Sequence, residues 1–168
     1  ISLLEQLLPE LRELGERQQE GEVIGILGTL RGDRGETERA LELHSEALAI
    51  HRRTGDRPFE ASTLMLQGTL ARMGPGGGTA ALPLLHESAA IMEELGDRGE
   101  IAKAQCHIAH ALLALGLPGA REARDRASSI AAELGTMVVS EEIEALEASA
   151  IEPVRFLVVP RVIATTIM

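Results

Sequence analysis

The sequence predicts an all-α fold of about eight helices arranged as antiparallel pairs, and three observations carry that reading. The chain has no Trp or Tyr, and its only Phe are Phe59 and Phe156. A β-sandwich or barrel leans on aromatic and β-branched residues, so their scarcity favours helices joined through Ala, Leu and Gly. A glycine-closed amphipathic run recurs: Ile50-His-Arg-Arg-Thr-Gly-Asp-Arg57 returns as Ile91-Met-Glu-Glu-Leu-Gly-Asp-Arg98. It returns again, weaker, as Ile130-Ala-Ala-Glu-Leu-Gly135, and Leu14-Gly15-Glu16-Arg17 is an earlier copy. The closing glycines stand at 15, 55, 96 and 135, with spacings of 40, 41 and 39. Small residues also keep fixed registers: Gly28, Gly68 and Ala109 follow those glycines by 13 residues, and Ala40, Ala81 and Ala120 precede them by 15. Ala47, Ser88 and Ala127 lie seven residues further on. Small side chains at fixed places allow two helices to approach closely.

Each element follows from these markers. Helices are expected over 2–14, 17–31, 36–54, 57–73, 79–95, 98–115, 118–134 and 137–150. Pro9 predicts a kink in the first, or a start near Leu8. Gly after a helix tolerates the left-handed conformation that closes it, and Asp56, Asp97 and Thr136 then stand where a cap for the next helix belongs. Glu100, three residues after Asp97, completes an acidic variant of the capping box. Pro58 falls in a first turn, where a missing N–H costs little. Gly35, Pro75 and Gly116 mark the turns inside the pairs, at five, six and four residues before the register alanine. The unequal spacings therefore become loop insertions and deletions, the longest turn being Gly74-Pro-Gly-Gly-Gly78.

Bulk properties exclude several classes. A chain of 168 residues with 45% hydrophobic and 25% charged residues is ordinary for a globular domain. A net charge of -10, with Lys103 the single lysine, argues against nucleic acid. No apolar run approaches the roughly 18 to 20 residues of a membrane span, and no signal peptide is visible. The lone Cys106 cannot form an internal disulfide.

No chemistry stands out. Cys106-His107-x-x-His110 lacks convergent ligands, because Cys106 points elsewhere on a 3.6-residue helix. His44 and His51, seven apart, are read as core-rim and surface positions. The glycine-rich turn before Thr79 lacks the lysine and the preceding strand of a phosphate loop. Carboxylates such as Glu141, Glu142, Glu144 and Glu147 read as a solvated helix face. The expectation is a non-enzyme with no cofactor and no metal.

Ala40-Leu41-x-x-His44-x-x-Ala47-Leu48, echoed by Ala81-Leu82-x-x-Leu85-x-x-Ser88-Ala89, resembles the second-helix signature of the tetratricopeptide repeat. Gly28 and Gly68 match that family's first-helix glycine. The resemblance covers about residues 16–135, but the usual aromatics are absent and the unit is about six residues longer than the standard 34. Armadillo and HEAT repeats are the competing solenoids, and they do not predict the small-residue registers. The long form resembles arrays in large bacterial transcriptional regulators and signalling ATPases.

The resemblance implies a right-handed superhelical solenoid over 1–150, with an inner groove lined by the first helix of each pair. Thr29, Ser62, Met65, Thr69, Arg72, Lys103, Cys106 and His110 are the groove residues it implies, with Arg72 and Lys103 making it locally basic. The implied function is a non-catalytic protein-interaction scaffold within a larger bacterial regulatory or signal-transduction protein. The alternative is an effector-sensing module binding a small molecule or peptide. Implied with it are a protein or peptide partner (another domain of the same parent protein included), no direct nucleic-acid contact, no membrane, and a cytoplasmic location. The chain opens on the second helix of a pair and on Ile1, which is read as a piece of a longer protein. After Ala150 the pattern stops, and 151–168 is an apolar, β-branched tail, a cap or the start of another segment.

Overall fold

The computed structural model describes residues 1–74 and 76–148, with side chains as far as 136. Among the described residues there are seven helices and no strand: α1 Ser2–Leu14, α2 Arg17–Asp33, α3 Thr37–Thr54, α4 Arg57–Met73, α5 Gly77–Leu95, α6 Arg98–Ala114 and α7 Ala120–Ala148. The chain divides into two compact units, Ile1–Ser128 and Ser129–Met168.

In the first unit the punctuation works as expected from the sequence. Gly15, Gly55 and Gly96 close α1, α3 and α5 at φ of 76°, 71° and 72°, a left-handed conformation that other residues adopt only at a cost. The Asp56 carboxylate accepts a hydrogen bond from the Phe59 amide at 3.4 Å, and Asp97 accepts one from the Glu100 amide at 3.0 Å. Each satisfies a first-turn donor that has no partner within its helix. Helix α1 runs through Pro9 without a break, so the expected start near Leu8 is corrected. Its upstream residues supply Ile1, Leu4 and Leu8 to the apolar cluster under α2 and α3, which favours carrying the helix back past the proline.

The expected break at Gly135 does not occur. Helix α7 continues as one element to Ala148, replacing the two helices expected over 118–134 and 137–150. Gly135 is absent from the positive-φ glycines, and the Thr136 hydroxyl donates to the Ala132 carbonyl at 2.9 Å, a bond inside the helix, where the sequence placed a cap. A single glycine in a helix costs only about 1 kcal/mol, too little to end one whose neighbours favour it. The tail at 151–168 lies outside the described residues.

Consecutive helices from α1 to α6 lie side by side, and α2, α4 and α6 also touch one another along one row. Among the described residues, two apolar clusters lie between neighbouring helices. One joins Val23, Ile24 and Leu27 of α2 to Leu43, Ala47 and Ile50 of α3; the other joins Ala81, Leu85 and Ala89 of α5 to Ala104, Ile108 and Ala111 of α6. The helices approach closely because glycine faces a large side chain. A Cβ on Gly28 would lie 2.9 Å from the His44 ring, and one on Gly68 would lie 2.8 Å from Leu85. Gly28 and Gly68 share a register, as do His44 and Leu85, so one arrangement is built twice with different chemistry. Both His44 and His51 are buried, at 0% and 1% exposure, which corrects their reading as core-rim and surface positions. A Cβ on Gly21 would lie 2.9 Å from the His51 ring.

A charged clamp repeats at the same interval. The Glu20 carboxylate, 3% exposed, is held by Arg12 at 2.6 Å and Arg17 at 2.7 Å, and Arg12 reaches on to Glu46 at 3.1 Å. Forty residues on, Glu60 is held by Arg52 at 3.1 Å and Arg57 at 2.8 Å, and Arg52 reaches Glu87 at 2.6 Å. Burial pushes the Glu20 carboxyl up, but the hydrogen bonds from Arg12 and Arg17 outweigh it and hold the group below its ordinary value. In the third copy the charges change. Ile101 replaces the buried glutamate, and the outer pair is inverted, Glu93 with Arg126 at 2.7 Å.

Two measurements check this account. Gly68→Ala lowers stability by about 1–3 kcal/mol through the clash with Leu85, whereas Gly25→Ala, whose Cβ meets only Ala47 at 3.9 Å, raises it by about 0.5–1 kcal/mol; urea midpoints that move together refute the close-approach argument. Arg52→Ala with Arg57→Ala strands the buried Glu60 and costs about 3–5 kcal/mol, while Glu60→Ile, which copies Ile101, changes stability by less than about 1 kcal/mol. Equal losses in the two variants contradict the clamp.

Candidate functional site

The eight residues read as a groove lie on α2, α4 and α6, the helices that touch along one row. Thr29 is half-buried, and its hydroxyl donates back to the Gly25 carbonyl at 3.2 Å within α2. Ser62 lines a cleft of about 540 Å³ with Pro58, Phe59, Met92, Leu95, Asp97 and Glu100. Met65 lies against the α5–α6 apolar cluster. Lys103 is exposed and ion-paired with Glu100, one helical turn away, so the positive charge expected of it is largely neutralised.

Cys106 and His110 do come together. Both are exposed, and both line a separate cleft of about 390 Å³ with Ala109, Leu113, Ala120, Arg121 and Arg124. Ile108 between them is buried, as the register predicts. Arg121 and Arg124 were missed from the sequence because 118–134 was treated as one more repeat helix. Arg124 is turned toward the Asp125 carboxylate at 3.1 Å. No group of three or more His, Cys, Asp or Glu that could hold a metal occurs among the described residues.

The remaining contact joins α4 to α6. Thr69 donates its hydroxyl to the Met65 carbonyl at 2.9 Å, and its oxygen lies 3.5 Å from His107 Nδ1. Arg72, half-buried one turn later, has an Nε that finds no partner among the described residues. His107 is held below the ordinary histidine range, first by burial and then by the charges of Arg72 and His110. His107, which the sequence did not single out for the groove, turns toward Thr69 of α4.

The profile of the MlaE permease family ("Permease MlaE") matches residues 122–168, less than a third of the chain. No curated protein matches the chain. The match corrects several expectations. It is to a membrane permease and not to a tetratricopeptide domain, so the resemblance drawn from Ala40–Leu48 and Ala81–Ala89 does not identify the family. With it fall the interaction scaffold of a regulatory or signalling protein, the effector-sensing alternative, and the association with transcriptional regulation. The expectations of no membrane and a cytoplasmic location are overturned by the same finding. Among the described residues no helix is long and apolar enough to cross a membrane, but the apolar tail of the matched segment lies beyond them.

The reason for the error is physical. Small-residue registers and glycine stops report how closely two helices approach, which many helical proteins share. The matched segment begins within α7, the helix that departs from the paired pattern by running through Gly135. The repeat markers Ala120, Ala127 and Gly135 carried the repeat reading into that helix.

Arg72→Ala raises the His107 titration midpoint while leaving it below the ordinary value of 6.5, because burial persists. Imidazole resonances followed by NMR read this directly, and an unmoved midpoint rules out the Arg72 contribution.

Proposed function

We propose that this chain is part of a membrane transport component, with residues 122–168 as its permease-like portion. The observation that carries this reading is the family match over that segment. It agrees with the composition there: Phe156-Leu-Val-Val159 and Val162-Ile-Ala164 form an apolar stretch quite unlike the charged surface helices before it. The role we assign is non-catalytic. The polar contact of Thr69 with His107 looks inward between α4 and α6, and nothing about it requires a reacting group.

We further propose that the helix pairs of Ile1–Ser128 stack as a right-handed solenoid. What supports this is the spacing of the two rows. Helices α2, α4 and α6 touch directly, while α1, α3 and α5 are linked to one another through the arginine–glutamate pairs Arg12–Glu46 and Arg52–Glu87. A row in close contact beside a row joined by long side chains favours curvature.

Fractionation tests the transport reading. The full chain, expressed in bacteria, is expected in the membrane fraction after an alkaline carbonate wash. Leu157→Arg with Val159→Arg is expected to release most of it, since an arginine at the centre of a bilayer costs about 2.5–3.5 kcal/mol. A wild-type chain washed off the membrane, or a double variant that stays, refutes it.

A further inference from the structure

We propose that the α2–α3 pair is a pH-sensitive element: protonation of His44 and His51 loosens α3 from α2 while α5 keeps its packing. The geometry leaves no room for a hydrated imidazolium. Each ring is pressed against a glycine of α2, with the Gly28 Cβ position 2.9 Å from His44 and the Gly21 Cβ position 2.9 Å from His51. Both nitrogens of His44, and Nδ1 of His51, find no hydrogen-bond partner among the described residues. A neutral ring tolerates this poorly and a charged one far less, because an unpaired buried charge must be solvated or neutralised.

The fold contains its own control. At the positions equivalent to His44 and His51, α5 carries Leu85 and Met92, both buried. Leu85 lies against Gly68 as His44 lies against Gly28. An apolar side chain therefore satisfies the packing, and the histidines add a titratable group that packing alone does not require. The array is asymmetric as a result, with two buried imidazoles on α3 and none on α5.

The surroundings set the direction. Burial alone acts on His44 and lowers its pKa. Burial also lowers that of His51, against a weaker upward pull from Asp56 and Glu60 at α4 and Glu22 on α2. Phe59 of α4 covers the His51 ring at 5.4 Å between centroids. With both pKa values depressed in the folded state, the unfolded or opened chain binds more protons below the ordinary value of 6.5. Stability is thus unaffected above that value and falls as pH drops beneath it, levelling once the folded pKa is passed. Each histidine contributes up to about a tenfold change in opening per pH unit in that window.

Hydrogen exchange of the full chain between pH 7.5 and 5, corrected for intrinsic rates, tests the proposal. His107 on α6 is itself half-buried, so α5 serves as the reference. Amides of α2 and α3 are expected to lose protection about tenfold or more per pH unit below 6.5 relative to α5. His44→Leu, which copies Leu85, removes about half of that slope on a logarithmic scale, and adding His51→Met, which copies Met92, removes the rest. A slope unchanged in His44→Leu overturns the proposal. If the double variant fails to fold, imidazole titration in the wild-type chain decides: midpoints for His44 and His51 below 6.5 support it, and midpoints at or above 6.5 overturn it.

Discussion

A buried carboxylate gripped by two arginines is the constraint on which the N-terminal unit depends. Glu20 and Glu60 lie where water does not reach, and an ion in such a place is tolerated only with its partners in position. Each clamp spans three helices. Arg12 comes from α1, Glu20 and Arg17 from α2, and the second arm of Arg12 closes on Glu46 of α3. The clamp adds little net energy over an apolar substitute, as the third copy with Ile101 indicates. What it adds is register: a helix that slips by one turn strands a charge. The close glycine contacts then become possible, because they need the helices to arrive already aligned.

This division of labour explains the thin core. Alanines and glycines at the helix crossings bury little surface each, and a layer of this kind gains from proximity more than from bulk. It also explains why single methyl groups matter so unevenly. A Cβ at Gly68 or Gly78 meets a neighbour at 2.8 Å, whereas one at Gly25 meets only Ala47 at 3.9 Å. The same residue type is indispensable at one site and incidental at another, according to what lies across from it.

Much of this was legible in the sequence, and for identifiable reasons. The end of α1 and the start of α4 follow from the Gly15 stop and the Asp56 cap, because those local interactions act within a turn of the boundary. The burial of His44 and His51 was missed by weighing residue type alone; their repeat equivalents Leu85 and Met92 already marked both positions as apolar. Helix α7 was missed because a glycine was taken as a stop where the chain offered no turn to follow it. Side chains such as Thr29, Thr69 and Lys103 bond within their own helix, which spacing between repeats does not report. Function was the least legible. The features that dominate residues 1–121 describe how helices pair, and the permease match covers the segment after them, 122–168.

The inverted pair Glu93–Arg126 has a bearing on how the chain avoids misassembly. Arrays of similar hairpins can fold with one hairpin skipped, since each surface is a fair copy of the next. If α4 and α5 were bypassed, Arg52 of α3 would face Arg126 of α7 in place of Glu87, and two like charges would meet where an attractive pair belongs. The skipped arrangement is thereby penalised at the first contact it makes. A single reversal of sign gives an otherwise repetitive chain a direction, and tells α7 which neighbour is its own.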